Sequence, residues 1–154
     1  MEAEALEYSW EESMRTGDEM NDRQHQELIH RLNLLLHSMY KGHPAEQVES
    51  TLDFLASYVV EHFTHEEALM EQVHCPLAQA NKRAHAEFLV RFGAFQEDLA
   101  AQRNSPSVIA VKMLRELSDW IVRHIRTIDA RMLPYVQATQ APTAAGAGTP
   151  QSPL

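Results

Sequence analysis

Apolar residues recur at three- and four-residue steps along four separate stretches of the chain, the period of helices that each bury one face. In the first stretch His25, Leu28, Ile29, Leu32, Leu35, Leu36 and Met39 form one stripe. Asn21 or Asp22 can cap its start by accepting hydrogen bonds from free backbone N–H groups, and Gly42 with Pro44 ends it. A second helix begins at about Ala45 and carries Val48, Leu52, Leu55, Val59, His62, Glu66 and Leu69 inward. Cys75-Pro76 breaks the pattern, after which Leu77, Ala84, His85, Phe88, Phe92, Phe95 and Leu99 make a third stripe, with Asn81 on it one turn before His85. Asn104-Ser105-Pro106-Ser107 is turn chemistry. The fourth helix then presents Val111, Leu114, Leu117, Ile121, His124, Ile128 and Met132 on one face and fades after Pro134.

Four amphipathic helices with short connections predict an all-α fold, an up-down-up-down antiparallel four-helix bundle, because a short loop forces successive helices to reverse direction. Residues 1–20 include Tyr8, Trp10 and Met14, enough bulk for an ordered N-terminal arm along the bundle. From about Gln137 onward, through Ala144-Ala145-Gly146-Ala147-Gly148, there is too little apolar bulk to pack, which predicts a disordered C-terminal tail. The expected division is a bundle domain over 1–136 and a tail over 137–154.

Composition narrows the partners. With 154 residues and 44% hydrophobic content the chain can bury a core of its own. Twenty-two acidic against 13 basic residues leave a net charge of −9, which repels phosphate backbones and anionic membrane surfaces, so neither nucleic acid nor a membrane is an expected partner. No apolar run reaches the roughly 20 residues needed to span a bilayer, and the acidic start lacks the marks of a signal peptide, so a cytoplasmic protein is expected. The single cysteine, Cys75, has no internal disulfide partner and reads as an inert thiol.

The chemistry lies in which histidines face inward. His30, His37, His43, His65 and His74 fall off the stripes or in connections and read as solvated. His25, His62, His85 and His124 each sit on the apolar face of a different helix, so all four can converge on one layer of the core. A lone inward histidine is usually a satisfied core residue. Four of them beside two inward carboxylates, Glu66 and Asp129, point instead to a bound cation, because burying those carboxylates unpaired costs several kcal/mol or forces protonation. Mixed imidazole and carboxylate ligands suit iron, manganese or zinc, and two carboxylates can each bridge a pair of metals. His62 and Glu66 are four residues apart, about 40° round a helix, but His124 and Asp129 are five apart, about 140°. Asp129 therefore requires the site to approach its helix obliquely.

These residues resemble the hemerythrin family, in particular the single-domain bacteriohemerythrins. The resemblance runs from about Tyr8 to Tyr135. It takes in Trp10, Thr16-Gly17-Asp18, Asp22-Arg23-Gln24-His25, His62-Phe63, Glu66-Glu67, Met70, Pro76, His85, Phe88, Trp120, His124-Ile125 and Asp129. It implies a cofactor of two iron ions, a di-iron centre bridged by Glu66, Asp129 and an oxo or hydroxo group, that binds O2 reversibly in a carrier or store rather than an enzyme. By resemblance, one iron takes His25 and His62 and keeps a position for O2. The other takes His85, His124 and the side chain at position 81. The family pattern expects histidine there, and this chain has Asn81, a weaker and shorter oxygen donor. That departure supports an alternative: a redox, O2 or nitric oxide sensor, or a peroxide-handling enzyme with oxidase- or peroxidase-like activity. Leu28 and Ile121, one turn from His25 and His124, are expected to keep the O2 pocket dry. Trp120 reads as core packing before a specific pocket role.

Two other metal-protein patterns fit less well. Glu27-Leu28-Ile29-His30 and Glu71-Gln72-Val73-His74 match the Glu-x-x-His pattern of ferritin-like di-iron bundles, but both point off the inward stripes. A zinc peptidase would need histidine where Leu69 stands.

Overall fold

The computed structural model describes residues 7–42 and 44–140. Four long helices, α1 (Glu19–Tyr40), α2 (Pro44–Gln72), α3 (Ala78–Ala100) and α4 (Pro106–Thr127), are followed by a short α5 (Leu133–Gln140), and no strand occurs among the described residues. α1 packs on α2 and α4, and α3 packs on the same two, so neighbours in the chain are neighbours in space. That is the topology the short connections impose. No described helix is long and apolar enough to cross a membrane.

Local chemistry accounts for the helix ends. The start of α1 is capped by Asp18, whose Oδ2 accepts from the Asn21 N–H at 2.9 Å. This corrects the expectation that Asn21 or Asp22 caps. Asp22 instead accepts from both the N–H and the hydroxyl of Thr16, each at 2.8 Å, and Asn21 is freed to turn into the core. α2 ends where His74 adopts φ +56°, a left-handed residue that lets the Cys75 N–H reach back to the Met70 carbonyl at 2.9 Å. Pro106 opens α4, where it has no N–H to lose, and Ser105 caps it by accepting from Val108 N–H at 3.3 Å.

The inward stripes form one continuous core. Leu32, Leu35, Leu55, Val48, Met113 and Leu117 are fully buried in it, and the arm contributes Met14, with Tyr8 and Trp10 packed against its edge. The arm is also pinned by polar contacts, because the side chain of Asn33 accepts from Tyr8 N–H and donates to Tyr8 carbonyl, both at 2.9 Å. Val111, expected inward on α4, is 44% exposed, and Ile109, Ala110 and Met113 are buried instead. Ala110, Leu114, Leu117 and Ile121 continue one buried face at three- and four-residue steps, and Val111 falls beside it.

The fourth helix also stops earlier than its periodicity suggests. α4 ends at Thr127, Ile128 takes φ −118° and ψ −62°, and a 3-10 turn follows over Asp129–Met132. Met132 and Val136 are buried after that break, in a second cluster with Met70, Val73 and Cys75. α5 continues to Gln140 rather than stopping at 136, since Val136 is anchored by that cluster. The tail expected beyond, residues 141–154, lies outside the described residues, as do His43 and residues 1–6 of the arm.

Gly17 links the arm to α5. Its φ is +87°, and a Cβ there would lie 3.0 Å from Leu133 Cδ1 and 3.2 Å from Val136 Cγ1. Gly17→Ala is expected to cost about 1–3 kcal/mol, from left-handed strain and that contact. Thermal unfolding should show a lower midpoint, and an unchanged one would mean that the arm does not hold α5.

Candidate metal centre

Six side chains meet in one layer of the core, contributed by α1 (His25), α2 (His62, Glu66), α3 (His85), α4 (His124) and the 3-10 turn (Asp129). All six are buried, Glu66 and Asp129 completely. Their donor atoms fall into two overlapping groups, His25, His62, Glu66 and Asp129 in one and Glu66, His85, His124 and Asp129 in the other, each with ligand atoms within 4.8 Å of one another.

The two carboxylates link the groups oxygen by oxygen. Glu66 Oε2 lies 3.2 Å from His25 Nε2 and 3.3 Å from His62 Nε2, whereas its Oε1 lies 3.0 Å from His85 Nε2 and 3.9 Å from His124 Nε2. Asp129 repeats the arrangement, with Oδ2 3.2 Å from His25 Nε2 and Oδ1 3.1 Å from His124 Nε2. The break at Ile128 makes this possible. On an uninterrupted helix Asp129 would point about 140° away from His124, and the 3-10 turn brings it back. The oblique approach expected from the sequence is thus replaced by a change of backbone.

Asn81 stands in the same layer. It is fully buried, its Oδ1 lies 2.8 Å from His124 Nε2, and its Nδ2 has no hydrogen-bond partner. The second group therefore has an amide oxygen in addition to its two imidazoles and two carboxylate oxygens.

The donor atoms are close enough to surround shared centres, although several of them also pair with one another. Both oxygens of Asp129, Oε1 of Glu66 and Nε2 of His85 are buried and lack a hydrogen-bond partner despite their close neighbours. The imidazoles of His25 and His62 bring Nε2 to Nε2 at 3.0 Å. Apart from the 3.9 Å contact, the separations correspond to the edges of coordination polyhedra with bonds of about 2.0–2.3 Å. Buried groups of this kind normally find partners, and a cation would satisfy all of them together. The donor set fits a metal pair.

Without a cation the site holds protons in its place. Burial alone pushes the His25 imidazole down, but Asp129 and Glu66 outweigh it and hold its pKa up at about 10. The same opposition, burial against Asp129 and then Glu66, raises His124 to about 9. Burial wins at His62 and lowers it. For Glu66 burial pushes up, but the imidazoles of His124, His25, His62 and His85 around it hold it well below the usual carboxylate range.

A surrounding shell orients the ligands. His62 Nδ1 pairs with Gln24 Oε1 at 2.8 Å and His85 Nδ1 with Glu67 Oε2 at 3.1 Å, so each imidazole donates outward and leaves Nε2 free to face the centre. Asn21 Nδ2 donates to Glu66 Oε2 at 3.1 Å. Aromatic rings sandwich the imidazoles: Phe63 lies on His85 with centroids 3.7 Å apart and 5° between planes, Trp120 on His124 at 4.5 Å and 11°, and Tyr58 on His62 at 5.3 Å and 17°. Leu28 and Ile121 are buried in the same core.

Several of these residues were not singled out by the sequence pattern. Asn21 looked like a cap, Gln24 and Glu67 lie beside the stripes, and Tyr58 is a partly apolar residue among many. Spacing does hold one signal, because Tyr58, His62 and Glu66 follow one another at four-residue steps. The remaining described histidines stay outside the centre. His65 pairs with Asp18 Oδ2 at 2.8 Å, His37 with Glu7, and His30 and His74 are exposed, as are Glu27 and Glu71 of the ferritin-like pattern.

Comparison with known proteins agrees with this arrangement. The hemerythrin HHE cation binding domain matches residues 16–136. A bacteriohemerythrin of Stenotrophomonas maltophilia is 30% identical over 129 residues, covering 84% of this chain and 81% of that protein. One from Pseudomonas paraeruginosa is 28% identical over 131 residues, covering 85% and 80% respectively. The matched segment contains every histidine and carboxylate of the buried layer, and the chain belongs to the hemerythrin family of non-haem iron proteins.

Proposed function

We propose that this chain holds two iron ions and binds O2 reversibly, as a carrier or store. The observation that carries the reading is the division of Glu66 and Asp129, each with one oxygen toward His25 and the other toward His124 or His85. In this reading His25, His62, His85 and His124 are terminal ligands, and Asn81 Oδ1 is a neutral donor beside His124. When bound, ferrous iron supplies the electron density that O2 draws on and returns.

The protein's own part is to hold the ligands and keep the space dry. Gln24 and Glu67 fix the imidazoles of His62 and His85, while Leu28 and Ile121 line the interior against water. Trp120, stacked on His124, restrains that ring as well as filling space. The test is metal content per chain together with the visible spectrum of anaerobically reduced protein before and after O2. An oxygen-dependent band that disappears on deoxygenation supports carriage. Irreversible oxidation overturns it.

Asn81 motivates a second reading, a redox, O2 or nitric oxide sensor or a peroxide-handling enzyme. An amide binds a cation more weakly than imidazole, so exogenous ligands can compete on the His85 and His124 side as well. Asn81→His is expected to slow autoxidation of the oxygenated protein several-fold, followed by loss of its visible band. Equal rates in the two proteins would remove Asn81 as the reason for favouring a sensor or enzyme.

A further inference from the structure

Tyr58 sits one turn before His62 on α2, with its ring between Phe54, at a centroid distance of 4.9 Å, and His62 at 5.3 Å. The residue is 9% exposed, and its hydroxyl is buried with no hydrogen-bond partner. A phenol buried against a polar cluster ordinarily finds an acceptor, because an orphaned donor costs about 1–3 kcal/mol. No side chain here accepts from it.

The two halves of the centre differ in how many protein atoms they offer. His25, His62, Glu66 Oε2 and Asp129 Oδ2 make up the first, whereas the second has His85, His124, Glu66 Oε1, Asp129 Oδ1 and the additional Asn81 Oδ1. The His25 and His62 side, where Tyr58 packs, thus has one protein donor fewer and leaves one position more for an outside ligand.

We propose that the Tyr58 hydroxyl donates a hydrogen bond to a small ligand with an electron-rich terminal atom, such as azide or polarised O2, held beside His25 and His62; this rests on the di-iron reading above. A phenol ordinarily titrates at about 10, so the hydroxyl keeps its proton at neutral pH and is a donor there. Tyr58 is thus a ligand-positioning residue, supplying one donor beside the imidazole on which its ring stacks.

The experiment compares wild type with Tyr58→Phe, an exchange that keeps the ring and removes only the hydroxyl. Both are loaded with iron and oxidised, assayed for iron, and titrated with azide by its visible absorption. Azide binding is expected to weaken about 3- to 10-fold, the size of one net hydrogen bond. Iron content should not change, and the azide stretching frequency should shift between the two proteins. The metal-free variant should melt no lower than wild type, since it loses an unpaired donor. Equal azide affinity and stretching frequency at equal iron content would overturn the role of Tyr58 and leave the centre standing. Wild type that takes up no iron would overturn both.

Discussion

Glu66→Gln is expected to empty both halves of the centre while leaving the bundle folded. Glu66, like Asp129, belongs to both halves, since Oε2 faces His25 and His62 and Oε1 faces His85. Glutamine has nearly the same shape but turns one of those oxygens into an N–H donor, which repels a cation and ligates nothing. Even residues that only orient a metal ligand cost 10–100-fold in affinity when lost. On the di-iron reading proposed above, removing a carboxylate common to both halves should therefore cost more than about 100-fold, and bound iron should not survive desalting. The substitution also removes one of the two charges, the smaller beside that of Asp129, that hold the pKa values of His25 and His124 up in the metal-free protein. Elemental analysis measures the loss, and far-ultraviolet circular dichroism checks that the helices persist. Full metal content in Glu66→Gln would mean that the carboxylate does not join the two halves.

Phe88→Ala is expected to be among the most destabilising single changes in the core and to reach the centre through it. Phe88 is 1% exposed and lies 5.6 Å from the Phe63 ring and 4.7 Å from Trp120, centroid to centroid. Those two rings are in turn the ones stacked on His85 and His124. Removing the phenyl ring leaves a void between both stacks, and truncations of this kind cost about 3–5 kcal/mol. A melting point lower by roughly 10 °C follows for a chain of this size. Metal should also dissociate faster, because both imidazoles lose the rings that hold their planes. Phe88→Leu, which keeps most of the volume, should recover most of the stability. Equal losses in the two variants would contradict a packing origin.

The pattern of apolar positions was enough to determine the class of fold and most of the site. A helical period places His25, His62, Glu66, His85 and His124 on buried faces whatever the details of the bundle, because burial repeats every three or four residues along a single helix. Short connections then fix which helices are neighbours. Asn81 was equally legible, one turn from His85 on the same stripe.

Only the tertiary structure decided how these faces meet. The backbone conformation at Ile128 interrupts α4 and the 3-10 turn after it brings Asp129 beside His124, against the continuous periodicity that suggested a longer helix. The roles of Asn21, Gln24 and Tyr58 depend on how far α1 and α2 are rotated and slid against each other. That relation is set by side-chain packing between helices, and no spacing within one helix encodes it. The sequence alone thus determined that the four histidines and Glu66 are buried, whereas the pairing of each carboxylate oxygen with its own imidazoles came from the three-dimensional register of four helices and one broken turn.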